Sequence, residues 1–129
     1  MTFFTSVIGV RNLPVRSLNS SVLIWPDERQ VLEALRRWAE NAKAQHKSLL
    51  RVGYFGSYAR GDWGVGSVLD VVLIVSESDL PIARRAAEWD LTELPVPVDV
   101  LVYTIREWEK IIAQPGMWLK RRNEVVWVA

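Results

Sequence analysis

The pattern of apolar and polar positions is clearest from Pro26 onward. Asp27 and Gln30 stand at the spacing of a capping box, and Val31, Leu35, Trp38 and Ala42 follow along one side of a helix that should end near His46. The pattern then changes to that of a strand over Leu49–Phe55, which runs straight into Gly56-Ser57, with Ser57 as the expected N-cap of a short helical turn, Tyr58-Ala59-Arg60. Gly61 to Gly66 reads as a loop. Val68–Val75 is apolar on both faces except at Asp70, as expected of a strand covered on two sides and therefore central in its sheet. Ser78-Asp79 should cap a third helix with Pro81 in its first turn, continuing through Ala83, Ala86 and Ala87 toward Trp89. Pro95 and Pro97 delay the next strand, Val98–Tyr103, which carries Asp99 among apolar neighbours. Thr104 opens a helix whose Ile105, Trp108, Ile111 and Ile112 form one stripe, and Gln114-Pro115-Gly116 stops it. A turn of helix around Met117–Arg121 and a last strand, Glu124–Val128, complete the pattern. Residues 1–24 carry neither period and are expected to form an extended or poorly ordered arm, leaving 25–129 as a single domain. Strands and helices alternate without an internal repeat, so the fold class is α/β of the α+β type, a mixed β-sheet backed by helices.

Composition narrows the partners more than the fold. The 129 residues include 16 Lys and Arg against 15 Asp and Glu, half are apolar, and there is no cysteine. A chain of this size buries roughly two thirds of its unfolded surface and needs no staple. The absence of cysteine excludes a disulfide scaffold and any thiolate site. A net charge of +1 gives no broad footprint for nucleic acid or an anionic membrane, so nucleic acid is not indicated and any charged site is local. The longest apolar stretch falls far short of the roughly 20 residues of a membrane span. The opening residues lack the basic start of a secretory signal, and a cytoplasmic location is expected.

Three features carry chemistry together: the strand ending in Gly56-Ser57, the central strand with Asp70, and the later strand with Asp99. A Gly-Ser turn lets backbone amides approach an anion such as a triphosphate. Magnesium prefers a few carboxylates and completes its shell with phosphate oxygens and water, which makes Asp70 and Asp99 candidate ligands on strands that should be neighbours. A carboxylate set among valines is costly without a cation or several donors, and that cost is the physical reason to read a site here.

The run Gly56-Ser57-Tyr58-Ala59-Arg60-Gly61-Asp62, followed by Ser67-Val68-Leu69-Asp70 and Val98-Asp99-Val100, resembles the minimal nucleotidyltransferases of the polymerase-beta-like superfamily, from about Trp25 to Tyr103. The resemblance implies the nucleotidyltransferase fold and a nucleoside triphosphate substrate, ATP first among them. It also implies two Mg2+ ions held by three carboxylates, and transfer of a nucleoside monophosphate to an acceptor hydroxyl. Carried over residue by residue, Asp70 and Asp99 are the catalytic metal ligands, and Gly56, Ser57 and Arg60 the nucleotide and phosphate contacts. Val68 stands where the family places the first metal-binding Asp. Residues two apart on a strand share a face, so Val68 should present methyl groups where a ligand belongs. Catalysis is therefore expected to be impaired. The alternative is a catalytically degenerate module that binds a nucleotide or a partner, and similar minimal nucleotidyltransferases in toxin and antitoxin modules imply a small helical HEPN-type protein as that partner.

The remaining candidates have plainer readings. Asp62 has no evident reason to replace the missing ligand. Arg60 either contacts phosphate or braces its turn, and Trp63 either stacks on a base or pins its loop. Trp38, Trp89, Trp108 and Trp127 fall on stripes or strands as core or interface residues, which leaves a homodimer open. His46 is expected to cap a helix. Lys120-Arg121-Arg122 is expected to be a solvated face.

Overall fold

The structure, a computed structural model, describes residues 26–114 and 124–129. Helix α1 spans Glu28–Gln45 and starts where its capping box predicts. The Gln30 amide donates to the Asp27 side chain at 2.8 Å, and the Asp27 amide donates to the Gln30 side chain at 3.0 Å. Caps of this kind are worth about 1 kcal/mol. Val31, Leu35, Trp38, Ala39 and Ala42 form its buried stripe. His46 closes the helix, its amide donating to the Ala42 carbonyl, and its ring meets Trp89 edge-on at 5.0 Å.

Four strands make one mixed sheet: β1 (Leu49–Phe55), β2 (Leu69–Val75), β3 (Val98–Thr104) and β4 (Val126–Trp127), in the order β3-β2-β1-β4. β2 runs antiparallel to β1 and parallel to β3, and β4 runs antiparallel to β1. The central place expected for the Asp70 strand is the one observed. Its side chains divide by the period of 2. Leu69, Val71, Leu73 and Val75 join the α1 stripe in one cluster, while Val72 and Ile74 join Phe55, Tyr103 and Trp108 in a second. Trp108 belongs to α4 (Ile105–Ala113), so the sheet lies between α1 and α4. Leu69 and Val71 through Ile74 are all fully buried. At about 1.5–3 kcal/mol for each such side chain, β2 is the energetic centre of the domain.

Local differences from the expected elements have physical causes. The turn of helix α2 is Ser57–Arg60, and Gly56 rather than Ser57 is its N-cap, without a side-chain cap bond. Helix α3 is Ile82–Arg85, followed by a 3-10 turn over Ala86–Glu88; its N-cap is Pro81, not Ser78 or Asp79. The Ser78 hydroxyl instead accepts from the Leu80 amide at 3.2 Å, and Pro81 keeps an extended backbone at the helix entrance. β4 is shorter than the Glu124–Val128 strand expected: regular pairing covers Val126–Trp127, and beyond it Val128 and Ala129 exchange backbone bonds with Val52 alone. Gly53 of β1 lies directly under this segment, and a side chain there would meet Trp127 and Val125 at 2.8 Å. The arm over 1–24, the helical turn over 117–121 and the basic cluster 120–122 lie outside the described residues. No helix among the described residues is long and apolar enough to cross a membrane.

Candidate functional site

Strand register assembles the site. Phe55 of β1 is the partner of Asp70 in β2, and Asp70 is the partner of Asp99 in the parallel β3. These three residues therefore form one row across adjacent strands, on the α4 side of the sheet, at a strand spacing of about 4.8 Å. The two carboxylates expected to be neighbours are neighbours in register. Asp70 is half-buried and Asp99 is exposed, so the pair opens to solvent.

Directly after Phe55 the chain turns at Gly56, with φ +75° and ψ −146°. That backbone conformation favours glycine. Glycine is needed for a second reason as well: a Cβ at this position would overlap Oδ2 of Asp70 and lie 3.2 Å from its Cγ. The Gly56-Ser57 turn and the Asp70 carboxylate thus touch across a gap that only a missing side chain leaves. The Ala59 and Arg60 amides both donate to the Gly56 carbonyl at 3.0 Å, fixing α2 onto the turn.

Val68 stands immediately before β2. Its side chain is 38% exposed, whereas Leu69 is fully buried in the α1 cluster. Val68 lies one residue before the paired part of the strand and two positions before Asp70. Among the described residues no group of three or more His, Asp or Glu is placed to hold a metal ion.

The loop between α2 and β2 is fastened by its own residues. Trp63 stacks on Tyr58 with ring centroids 5.6 Å apart and planes 6° from parallel, which pins the loop to the body. The Ser67 hydroxyl accepts from the Gly64 amide at 2.8 Å. Arg60, a sequence candidate for phosphate, is turned elsewhere: Nε donates to Asp62 and Nη1 to Glu124, both at 3.1 Å. The hydrogen bond it donates to Asp62 is the main cause that holds its guanidinium above the ordinary range. Asp62 is engaged by Arg60 rather than turned to the Asp70 row.

A second charged cluster lies at the other end of the β2–β3 pair, and sequence reasoning did not single it out. Arg85 of α3 is 5% exposed. Its Nε donates to the Leu80 carbonyl at 2.7 Å, Nη1 to the Val102 carbonyl at 3.2 Å and to Glu107, and Nη2 to the second Glu107 oxygen at 3.1 Å. Glu107 also accepts from the Thr104 amide, completing the capping box of α4. Hydrogen bonding to Arg85, ahead of the backbone bond from Thr104, pulls the Glu107 carboxyl from 4.5 down to about 2. Thr104 was legible as a helix start, but nothing in the local pattern marked Glu107 as its cap partner or Arg85 as the partner of Glu107. Two shallow concavities open at this end, one of them lined by Ser76, Glu77, Ser78, Arg85 and Arg106, and neither reaches Asp70 or Asp99.

The family described as nucleotidyltransferase domain matches residues 33–125. Among solved structures, the crystal structure of a candidate nucleotidyltransferase from Sulfolobus solfataricus is similar. It is 21% identical over 64% of this chain and 75% of that one, with a TM-score of 0.53, a likeness of fold. Comparison with curated proteins finds no match. With the family match running from within α1 to the edge of β4, and the same fold in a solved structure, this chain belongs to the nucleotidyltransferase domain family.

Proposed function

We propose that this chain binds a nucleoside triphosphate, ATP first among them, as its magnesium complex and transfers the nucleoside monophosphate to an acceptor hydroxyl, at a rate held down by Val68. The observation that carries this reading is the register row of Asp70 and Asp99 beside the Gly56-Ser57 turn. Two observations bear on whether magnesium fits. The donor set is two hard carboxylate oxygen groups, the kind magnesium takes one or two of while leaving the rest of its shell to phosphate and water. The missing side chain at Gly56 lets the Asp70 carboxylate lie against the turn, so both reach the same place.

Asp70 and Asp99 would hold the ion, and the bound ion would supply charge neutralisation on the phosphates. Gly56 and Ser57 bring backbone close to the same place, so the phosphates can be oriented without a side chain in the way. In the transfer, the acceptor oxygen forms a bond to the α-phosphorus and the bond from that phosphorus to the leaving pyrophosphate oxygen breaks. The pyrophosphate takes the electron pair and the hydroxyl proton passes to water. Val68 puts methyl groups where a further carboxylate would add charge, and the loss of even an outer partner of a metal site costs roughly 10 to 100-fold.

The test is transfer from labelled ATP by the wild type, Val68→Asp and Asp70→Asn. Val68→Asp is expected to exceed the wild type by at least about tenfold, and Asp70→Asn to fall below detection. Three silent proteins that all retain ATP would overturn transfer and leave the second reading, a nucleotide-binding module acting through a partner such as a HEPN-type protein. Val68 is the observation that favours that second reading, and copurification with a small helical protein is its check.

A further inference from the structure

We infer that the site admits a single divalent cation, and admits it only together with the triphosphate; this rests on the nucleotide reading above. The oxygen donors among the described residues decide the count. The row across the strands supplies two carboxylates, Asp70 and Asp99, and two positions before Asp70, where the family resemblance places a third, stands the apolar, exposed Val68. Asp62, Glu124 and Ser67 are turned to other tasks. Asp62 and Glu124 both accept from Arg60 at 3.1 Å, and the Ser67 hydroxyl accepts from the Gly64 amide.

Two doubly charged ions at the roughly 3.5–4 Å separation of a two-metal centre repel each other strongly, and the carboxylates between them must offset that repulsion. Two carboxylates and a valine are too few. One ion asks less, because magnesium commonly takes one or two carboxylates and fills the remaining places with phosphate oxygens and water. Nor can the pair compete for that ion alone. Magnesium gives up its water reluctantly, and Asp99 is exposed, so without phosphate oxygens the exchange of water for carboxylate gains little. The triphosphate carries its own ion to the row and completes the shell.

Equilibrium dialysis with Mn2+ tests the count without relying on turnover, using α,β-methylene ATP as a nucleotide that cannot be transferred. Bound nucleotide and bound Mn2+ are measured separately for the wild type, Val68→Asp and Asp99→Asn, with thermal unfolding confirming that each is folded. The wild type is expected to retain no Mn2+ alone at micromolar concentration and one Mn2+ per bound nucleotide with the analogue. Val68→Asp is expected to retain a second ion, and Asp99→Asn to weaken Mn2+ retention by at least about tenfold. A second ion in the nucleotide-loaded wild type, or one ion held tightly without nucleotide, overturns the inference while the nucleotide reading stands. Unchanged ion retention by Asp99→Asn overturns it too. Failure of the wild type to retain the analogue at any Mn2+ concentration overturns the nucleotide reading itself, and the inference with it.

Discussion

The two ends of the β2–β3 parallel pair place charge in opposite ways. At the C-terminal end Glu107 meets Arg85, a buried guanidinium that also serves two backbone carbonyls. Arg85 and Glu107 complete each other there, and the pair ties α3 to the start of α4. At the N-terminal end the register partner of Asp70 is another carboxylate, Asp99, and the turn beside them is kept free of side-chain bulk by Gly56. On the function proposed above, the difference separates a structural use of charge from a functional one. Ion pairs that complete themselves stabilise; carboxylates set side by side suit a cation that comes from outside.

Breaking the completed end has the largest expected effect. Arg85→Ala leaves Glu107 and two carbonyls short of a donor and should cost on the order of 3 kcal/mol, less than a fully enclosed pair because Glu107 is about one third exposed. Urea unfolding measures it, and nucleotide retention per folded molecule should not change. Asp70→Asn should do the reverse. Nucleotide and Mn2+ retention should fall at least about tenfold, with a change in unfolding free energy smaller than that of Arg85→Ala. Equal losses of stability in the two variants would dissolve the contrast.

The pH dependence sharpens it further. The folded Glu107 carboxyl titrates at about 2 against its ordinary 4.5, so the unfolded chain binds the proton first as pH falls. Its contribution is whole above about 4.5 and drains away as pH drops toward 2. The gap in Tm between the wild type and Glu107→Gln should therefore close over that interval, and a constant gap would show that the carboxylate charge is not what holds Arg85. Smallest of all is Arg60→Gln. Arg60 itself is about half exposed and Asp62 more so, with only Glu124 largely covered, and exposed pairs are screened by solvent and salt. Stability should stay within the error of urea unfolding. A loss of nucleotide retention in this variant would return Arg60 to the phosphate role its place in the Gly56–Asp62 run suggested.

How much of this was legible follows from the range of the interactions. α1, β1 and α4 matched their expected spans because caps and periodicity are written within a few residues: Asp27 with Gln30, Thr104 at the head of α4, and an apolar stripe every three or four positions. The true cap of α2 was missed because a serine beside a glycine satisfies the local rule, while the clash with Asp70 that requires Gly56 comes from a strand fourteen positions later. α3 was misplaced because Pro81 limits its start more strongly than Ser78 or Asp79 promote it. β4 was overextended because its apolar run continues past the two residues that find a regular partner.

The sequence by itself determined the alternation of elements, the family resemblance and the identity of the residue at position 68, all of which depend on residue type and short spacing. Tertiary structure alone decided that Asp70 and Asp99 share one row, that Gly56 must stay bare against Asp70, that Asp62 is turned to Arg60, and that Arg85 reaches Glu107. The physical reason is register. A strand shows which side chains share its face, but which strand lies beside it, and at what offset, is settled only when the apolar faces of the sheet close on α1 and α4.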